Sequence, residues 1–271
     1  MIRYSNIHAH TIFSDGMHTP EENILAAIEK NMVSLGFSDH SFTPFDRRYC
    51  MRKVNIPAYI REIRRLQKKY EGQIEIYLGM EHDGFSEVDN KELYDYFIGD
   101  CHYIKIGERY FAVDHARSEQ LEAINGYFDG DPIAYSRAYF DTYVACTRQN
   151  KPDVLGHFDL SAKFGYVDEI SPVYQKYAAE AMLASLEVTP YIEMNTGAIS
   201  RKIRDIPYPA VFLLKEILAH KGNIVLTSDS HDMANLDFYF DECVELLRSL
   251  GFKSISQLQG GSFVEVGIQE V

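Results

Sequence analysis

Six of the ten histidines in this chain of 271 residues stand at one kind of place, the polar exit of a short apolar run. His8 and His10 follow the N-terminal run, His40 follows 33–39, His102 follows 96–101, His157 follows 153–156, and His231 follows 223–230. Asp15, Glu81 and Asp229 lie at the same kind of exit. A lone histidine there is ordinarily a hydrogen-bonded or surface residue. Recurrence over five strands, interleaved with acids, indicates a metal centre. In an extended strand side chains alternate faces, so His8 and His10 point the same way and can share one ion. Imidazole and carboxylate without thiolate suit Zn, Mn or Fe. At three or four protein ligands per catalytic ion, this set is enough for two or three divalent ions.

Side chains from five strand exits meet only if the strands run parallel and their C-terminal ends converge. The chain supplies such strands. Thr19-Pro20-Glu21-Glu22 predicts a capping box opening a helix that ends at Asn31. Further strands are predicted over 33–40, 74–83, 96–102, 153–159, 191–195 and 223–231, with a last weak strand over 262–268. Helices are predicted from Pro57, over 91–96, 131–147, 174–186, 210–220 and 240–250. The aromatic and charged insertion 103–130 is expected to fold over the ligand-bearing end. Strand, polar exit and helix thus recur about seven times, which predicts a parallel sheet with right-handed crossovers. Ligands at so many exits favour closure into a barrel, where all C-terminal ends meet at one mouth. No repeat or Pro/Gly-rich linker divides the chain, so one domain over 1–271 is expected.

Composition removes other classes. A net charge of -13 disfavours general binding to a nucleic-acid backbone. Cys50, Cys101, Cys146 and Cys243 are scattered and form no CxxC pair, so neither a disulfide framework nor a thiolate zinc site is indicated. No apolar window approaches a membrane span and the N-terminus carries no signal-like apolar region, so a cytoplasmic protein is expected.

The motifs His8-Ala9-His10-Thr11 with Ser14-Asp15-Gly16, Ser38-Asp39-His40, Gly79-Met80-Glu81, Gly99-Asp100-Cys101-His102, Gly156-His157 and Ser228-Asp229-Ser230-His231 resemble, in order and over nearly the whole chain, the polymerase-and-histidinol-phosphatase (PHP) family. Glu193-Met194-Asn195-Thr196-Gly197 through Arg201-Lys202 resembles its histidinol-phosphate phosphatase branch. The resemblance implies a distorted, TIM-barrel-like (β/α)7 fold and a trinuclear site. One ion would be held by His8, His10, Glu81 and Asp229, a second by Glu81, His102 and His157, and a third by Asp15, His40 and His231. It also implies hydrolysis of a small phosphate monoester, foremost L-histidinol phosphate in histidine biosynthesis, by metal-activated hydroxide attack on phosphorus.

Arg201 is the first choice for a phosphate clamp, because a guanidinium offers a bidentate fork. Arg117 is a second choice, and Asn195 either orients substrate or caps the strand exit. Asp229 and His231 complete the expected catalytic set, with His231 or a metal-bound water as proton donor to the leaving group. Asp114, Tyr103 and Tyr110 could receive the cationic part of histidinol. Two other readings stay open: a phosphoesterase acting on a nucleotide or short oligonucleotide, and a noncatalytic metal-stabilised binding module. Elemental analysis of the purified protein is expected to find two or three divalent ions per chain. A value near one would favour the mononuclear amidohydrolase deaminases, which also place a His-x-His strand in a barrel.

Overall fold

Short parallel strands alternate with amphipathic helices in the computed structural model, which describes residues 2–88 and 90–269. In chain order the elements are β1 (Ser5–Asn6), α1 (Pro20–Glu29), β2 (Ser34–Phe37), α2 (Ile56–Lys69), β3 (Glu75–Asp83), β4 (Tyr96–Asp100), β5 (Tyr103–Ile106), β6 (Arg109–Ala112), α3 (Arg117–Tyr127) and α4 (Pro132–Asn150). There follow β7 (Val154–Leu155), α5 (Pro172–Leu186), β8 (Tyr191–Asn195), α6 (Gly197–Ser200), α7 (Val211–Ala219), β9 (Asn223–Thr227), α8 (Phe240–Leu250), β10 (Ser254–Gln259) and β11 (Ser262–Gly267).

Local chemistry explains several boundaries. The Thr19 hydroxyl accepts from the Glu22 amide while the Glu22 carboxylate accepts from the Thr19 amide, closing the predicted capping box. On α2, Tyr59, Ile63 and Leu66 form the buried stripe and the basic residues face outward. Asp131 caps α4 by accepting from the amides of Ile133 and Ala134.

The main sheet runs β1-β2-β3-β4-β7-β8-β9-β10-β11, parallel from β1 through β10. It curls until its first and seventh parallel strands meet. Beyond β1 and β9, Ala9 bridges Ser230 in parallel; the His10 amide donates to the Ser230 carbonyl at 2.8 Å and the Ser230 amide to the His8 carbonyl at 3.2 Å. The result is the expected distorted (β/α)7 barrel, closed at the C-terminal ends of its strands. At the opposite end β10, paired with β9 and β11, touches β1, and the Ser34 hydroxyl of β2 donates to the Leu258 carbonyl.

Three differences from the sequence expectation have local causes. The predicted strand around His8 and His10 enters the ladder only at Ser5–Asn6, because Ala9 turns to the closing bridge with Ser230. The predicted helix over 91–96 is a single 3-10 turn, Lys91–Leu93, with Tyr96 already in β4. The predicted final strand is half of an antiparallel hairpin, β10–β11, turned at Gly260 and Gly261, both with positive φ.

The barrel interior is filled by Ile7, Tyr77, Tyr96, Ile98, Val154, Val225 and Leu258, with larger apolar layers between the sheet and its helices. Tyr96 crosses this interior. Its hydroxyl donates to the Ile7 carbonyl at 2.5 Å, and its ring lies where a Cβ on Gly36 or Gly79 would stand. Among the described residues, no helix is long and apolar enough to cross a membrane. Gly79→Ala is therefore expected to destabilise the fold by about 1–3 kcal/mol through overpacking, measurable as a lowered urea midpoint. An unchanged midpoint would mean that the ring has room to move.

Candidate metal centre

Parallel strands closing at one end place their exits around one mouth, and Glu81 stands at its centre. Its Oε1 lies 3.4 Å from His8 Nε2, 3.4 Å from His102 Nε2 and 3.1 Å from His157 Nε2. Its Oε2 lies 2.5 Å from His40 Nδ1 and 3.5 Å from His10 Nε2. Asp229 reaches His10 at 3.1 Å, and Asp15 stands 3.3 Å from His231, 3.7 Å from His40 and 3.8 Å from His10. All nine residues singled out as ligands in the sequence thus converge. His10 touches both the Asp229 side and the Asp15 side, and His40 touches both Asp15 and Glu81, so the three implied ligand groups share more members than Glu81 alone.

The donor set fits divalent ions. Four groups, His10/Asp15/His40/His231, His8/His10/Asp229, His40/Glu81/His102 and Glu81/Asp100/His157, each offer ligand atoms within 4.8 Å of one another. His8 Nε2 and His10 Nδ1 are buried without a hydrogen-bond partner, and such groups cost about 1–3 kcal/mol each when nothing satisfies them. Burial alone would raise the Glu81 carboxyl, yet His40, His8 and His102 hold it well below the usual carboxylate range. Asp229 is likewise buried, and Arg201 and His8 hold it well below that range. Burial, reinforced by His231 and His40, pushes His10 down to about 3, which keeps this imidazole neutral and ready to ligate.

A second layer, not identified from sequence, fixes these groups. Glu193, on β8, contacts His8 Nδ1 and the Thr227 hydroxyl with Oε2, at 2.7 and 2.8 Å. With Oε1 it accepts from the His157 amide at 2.5 Å and from Asn195 Nδ2 at 2.8 Å. Asp39 accepts from the amides and hydroxyls of Thr11 and Ser14 and so sets the turn that carries Asp15. Asp83 accepts from the His102 amide at 2.6 Å. Their signal in the sequence is an acid beside or within an otherwise apolar strand; an inward acid in a central strand requires a partner.

The cluster opens into a cavity of about 300 Å³. Arg201 lines it, donating to Asp229 Oδ2 at 2.8 Å and to the Asp229 carbonyl at 3.0 Å, with His231 Nδ1 at 3.3 Å. Tyr49, Tyr103, Asp114, His115, Lys163 and Tyr208 form other walls, so the insertion 103–130 does reach over the mouth. Lys163, a cation the sequence did not single out, pairs with Asp114 at 3.0 Å. Arg117, the second choice for the phosphate clamp, lies outside this lining, exposed, with its guanidinium over Phe164 and Tyr166. Asn195 is buried, donating to Glu193 and accepting from the Gly197 amide, so it braces the strand exit and does not face the cavity. Tyr110 stacks on Phe45 at 3.8 Å and ties the insertion to the loop after β2.

A barrel of this kind with a multi-ion histidine and carboxylate cluster at its mouth defines a metal-dependent hydrolase scaffold. The chain belongs to the PHP domain family, whose model matches residues 6–197. It is 28% identical over 259 residues to a Deinococcus radiodurans protein named "Probable histidinol-phosphatase", covering 92% of this chain and 94% of that one. A Bacillus subtilis protein named "Histidinol-phosphatase" is 23% identical over 239 residues, covering 81% of this chain and 89% of that protein. In fold, the chain matches a crystal structure of histidinol phosphate phosphatase from Lactococcus lactis, complexed with Zn, L-histidinol and phosphate. The TM-score is 0.71 at 21% identity, over 97% of this chain and 99% of that one.

Because Glu193 orients both His8 and His157, Glu193→Gln is expected to weaken divalent-ion binding by about 10–100-fold. Calorimetric titration of the metal-free protein measures this; unchanged affinity would reduce Glu193 to a packing role.

Proposed function

We propose that this protein is a metal-dependent phosphatase that hydrolyses L-histidinol phosphate to L-histidinol and phosphate in histidine biosynthesis, acting in the cytoplasm as a single PHP-type domain over residues 1–271. The observation that carries the reading is the convergence of nine imidazole and carboxylate ligands beside an arginine at the wall of one small cavity. The names of the relatives supply the substrate.

In this reading His8, His10, Glu81 and Asp229 hold one divalent ion, Glu81, His102 and His157 a second, and Asp15, His40 and His231 a third. When bound, Zn, Mn or Fe supplies Lewis acidity toward phosphoryl oxygens and makes a water acidic enough to yield hydroxide near neutral pH. Arg201 receives the phosphate. Asp229 fixes its guanidinium, and five N–H donors leave some free for a phosphoryl oxygen after the Asp229 contacts. Lys163 lines the same wall, its charge paired with Asp114. Asp114, Tyr103 and Tyr49 offer a carboxylate and aromatic faces to the cationic ammonium and imidazole of the alcohol. With His231 committed to the third ion beside Asp15, a water at the mouth delivers the proton to the leaving alkoxide.

The cavity volume of about 300 Å³ and the net charge of -13 both favour a small ester over an oligonucleotide. Loaded with Mn or Zn, the purified protein is expected to release phosphate from L-histidinol phosphate with higher kcat/KM than from other small phosphate esters. Efficient cleavage of another ester with none from histidinol phosphate would overturn the substrate. Arg201→Ala is expected to lower kcat/KM by about 100-fold, and an unaffected variant would remove Arg201 from phosphate recognition.

A further inference from the structure

Asp100 stands at the end of β4, two residues before His102, and lies under the Glu81 and His157 side of the cluster. Its side chain has no exposed surface, and its Oδ1 is 3.4 Å from His157 Nε2. Neither carboxylate oxygen has a hydrogen-bond partner. The groups that brace the cluster behave differently: Glu193, Asp39 and Asp83 are all engaged by amides, hydroxyls or an imidazole. Space for the Asp100 carboxylate comes from Gly156, where a Cβ would collide with Oδ1. A buried carboxylate beside a second carboxylate is unfavourable in the protein alone, and a shared cation is what turns that arrangement favourable.

We propose that Asp100 is a further metal ligand, completing with Glu81, His102 and His157 a two-carboxylate, two-imidazole set for the ion on this side of the cluster. This rests on the reading that the cluster holds metal. Carboxylate oxygens suit Mn more than Zn, whereas imidazole serves Zn and Fe well. A second carboxylate therefore raises affinity for Mn at this position by a larger factor than affinity for Zn. Asp100 acts on the ion and need not touch substrate.

The test compares the full-length protein with Asp100→Asn and Asp100→Ser by calorimetric titration with Mn2+ and with Zn2+, and by thermal unfolding with and without metal. The expected result is that one ion per chain binds at least about tenfold more weakly in both variants, with the larger loss for Mn2+. Without metal, the variants should melt at or above the wild-type temperature, because repulsion between Asp100 and Glu81 is relieved. Their rise in Tm on metal addition should be smaller than that of the wild type. Unchanged affinities for every ion would overturn the proposal. A lowered metal-free Tm with intact binding, or loss of the cooperative transition, would also overturn it and make Asp100 a structural residue. A wild-type protein that takes up neither ion would instead overturn the underlying metal reading, and the titration of the unmodified chain alone distinguishes that case.

Discussion

Two backbone hydrogen bonds, between residues 8–10 and Ser230, join the first parallel strand exit to the seventh. Everything at the mouth depends on this closure. It brings Asp229 against His8 and His10, and His231 against His10, across more than 200 residues of sequence, and it is made at the C-terminal ends of the strands. At the other end β10 pairs with β9 and touches β1, and the Ser34 hydroxyl of β2 donates to the Leu258 carbonyl. The interior beneath the mouth is occupied by Tyr96, which leaves Gly36 and Gly79 no room for a side chain and ties β4 to the N-terminal strand through the Ile7 carbonyl.

The closure creates an electrostatic problem that the second layer contains. Five imidazoles surround the Glu81 carboxylate at 3.5 Å or less, nearly all of it out of water. Imidazoles this crowded bind cations only while neutral and correctly turned. Glu193 bonds His8 Nδ1 and so leaves Nε2 for the mouth, while its other oxygen holds the His157 backbone. Asp39 immobilises the turn that delivers Asp15, and Asp83 holds the backbone of His102. The candidate ligands are thereby held by strand exits and by turns that buried acids fix in place.

Opposite the ligands, the wall is built by segments that have no counterpart in the plain strand-helix alternation. The loop after β2 supplies Tyr49, and the β5–β6 insertion supplies Tyr103, Asp114 and His115. The stacking of Phe45 on Tyr110 and the bond from the Tyr103 hydroxyl to Asp46 hold the two segments together. The histidine and carboxylate cluster and Arg201 form one side of the cavity, whereas this wall adds an acid and tyrosines on the other.

The sequence by itself determined the types of the candidate ligands, their positions at strand exits, the strand-helix alternation and the capped helix starts. Each is a local property: periodicity, a capping box, or a histidine after an apolar run. Only the tertiary structure decided which ligands share a neighbourhood, since His10 and His40 each face two groups and no spacing along the chain encodes that. It also separated Arg201, drawn to the mouth by Asp229, from Arg117, which stacks on Phe164 and Tyr166 away from it. Asn195 proved to be a brace, and Glu193, Asp100 and Lys163 emerged as members of the site. The physical reason is that a side chain's chemistry is written in its own residue, whereas its partner is set by the closure of the barrel, a contact between chain segments more than 200 residues apart.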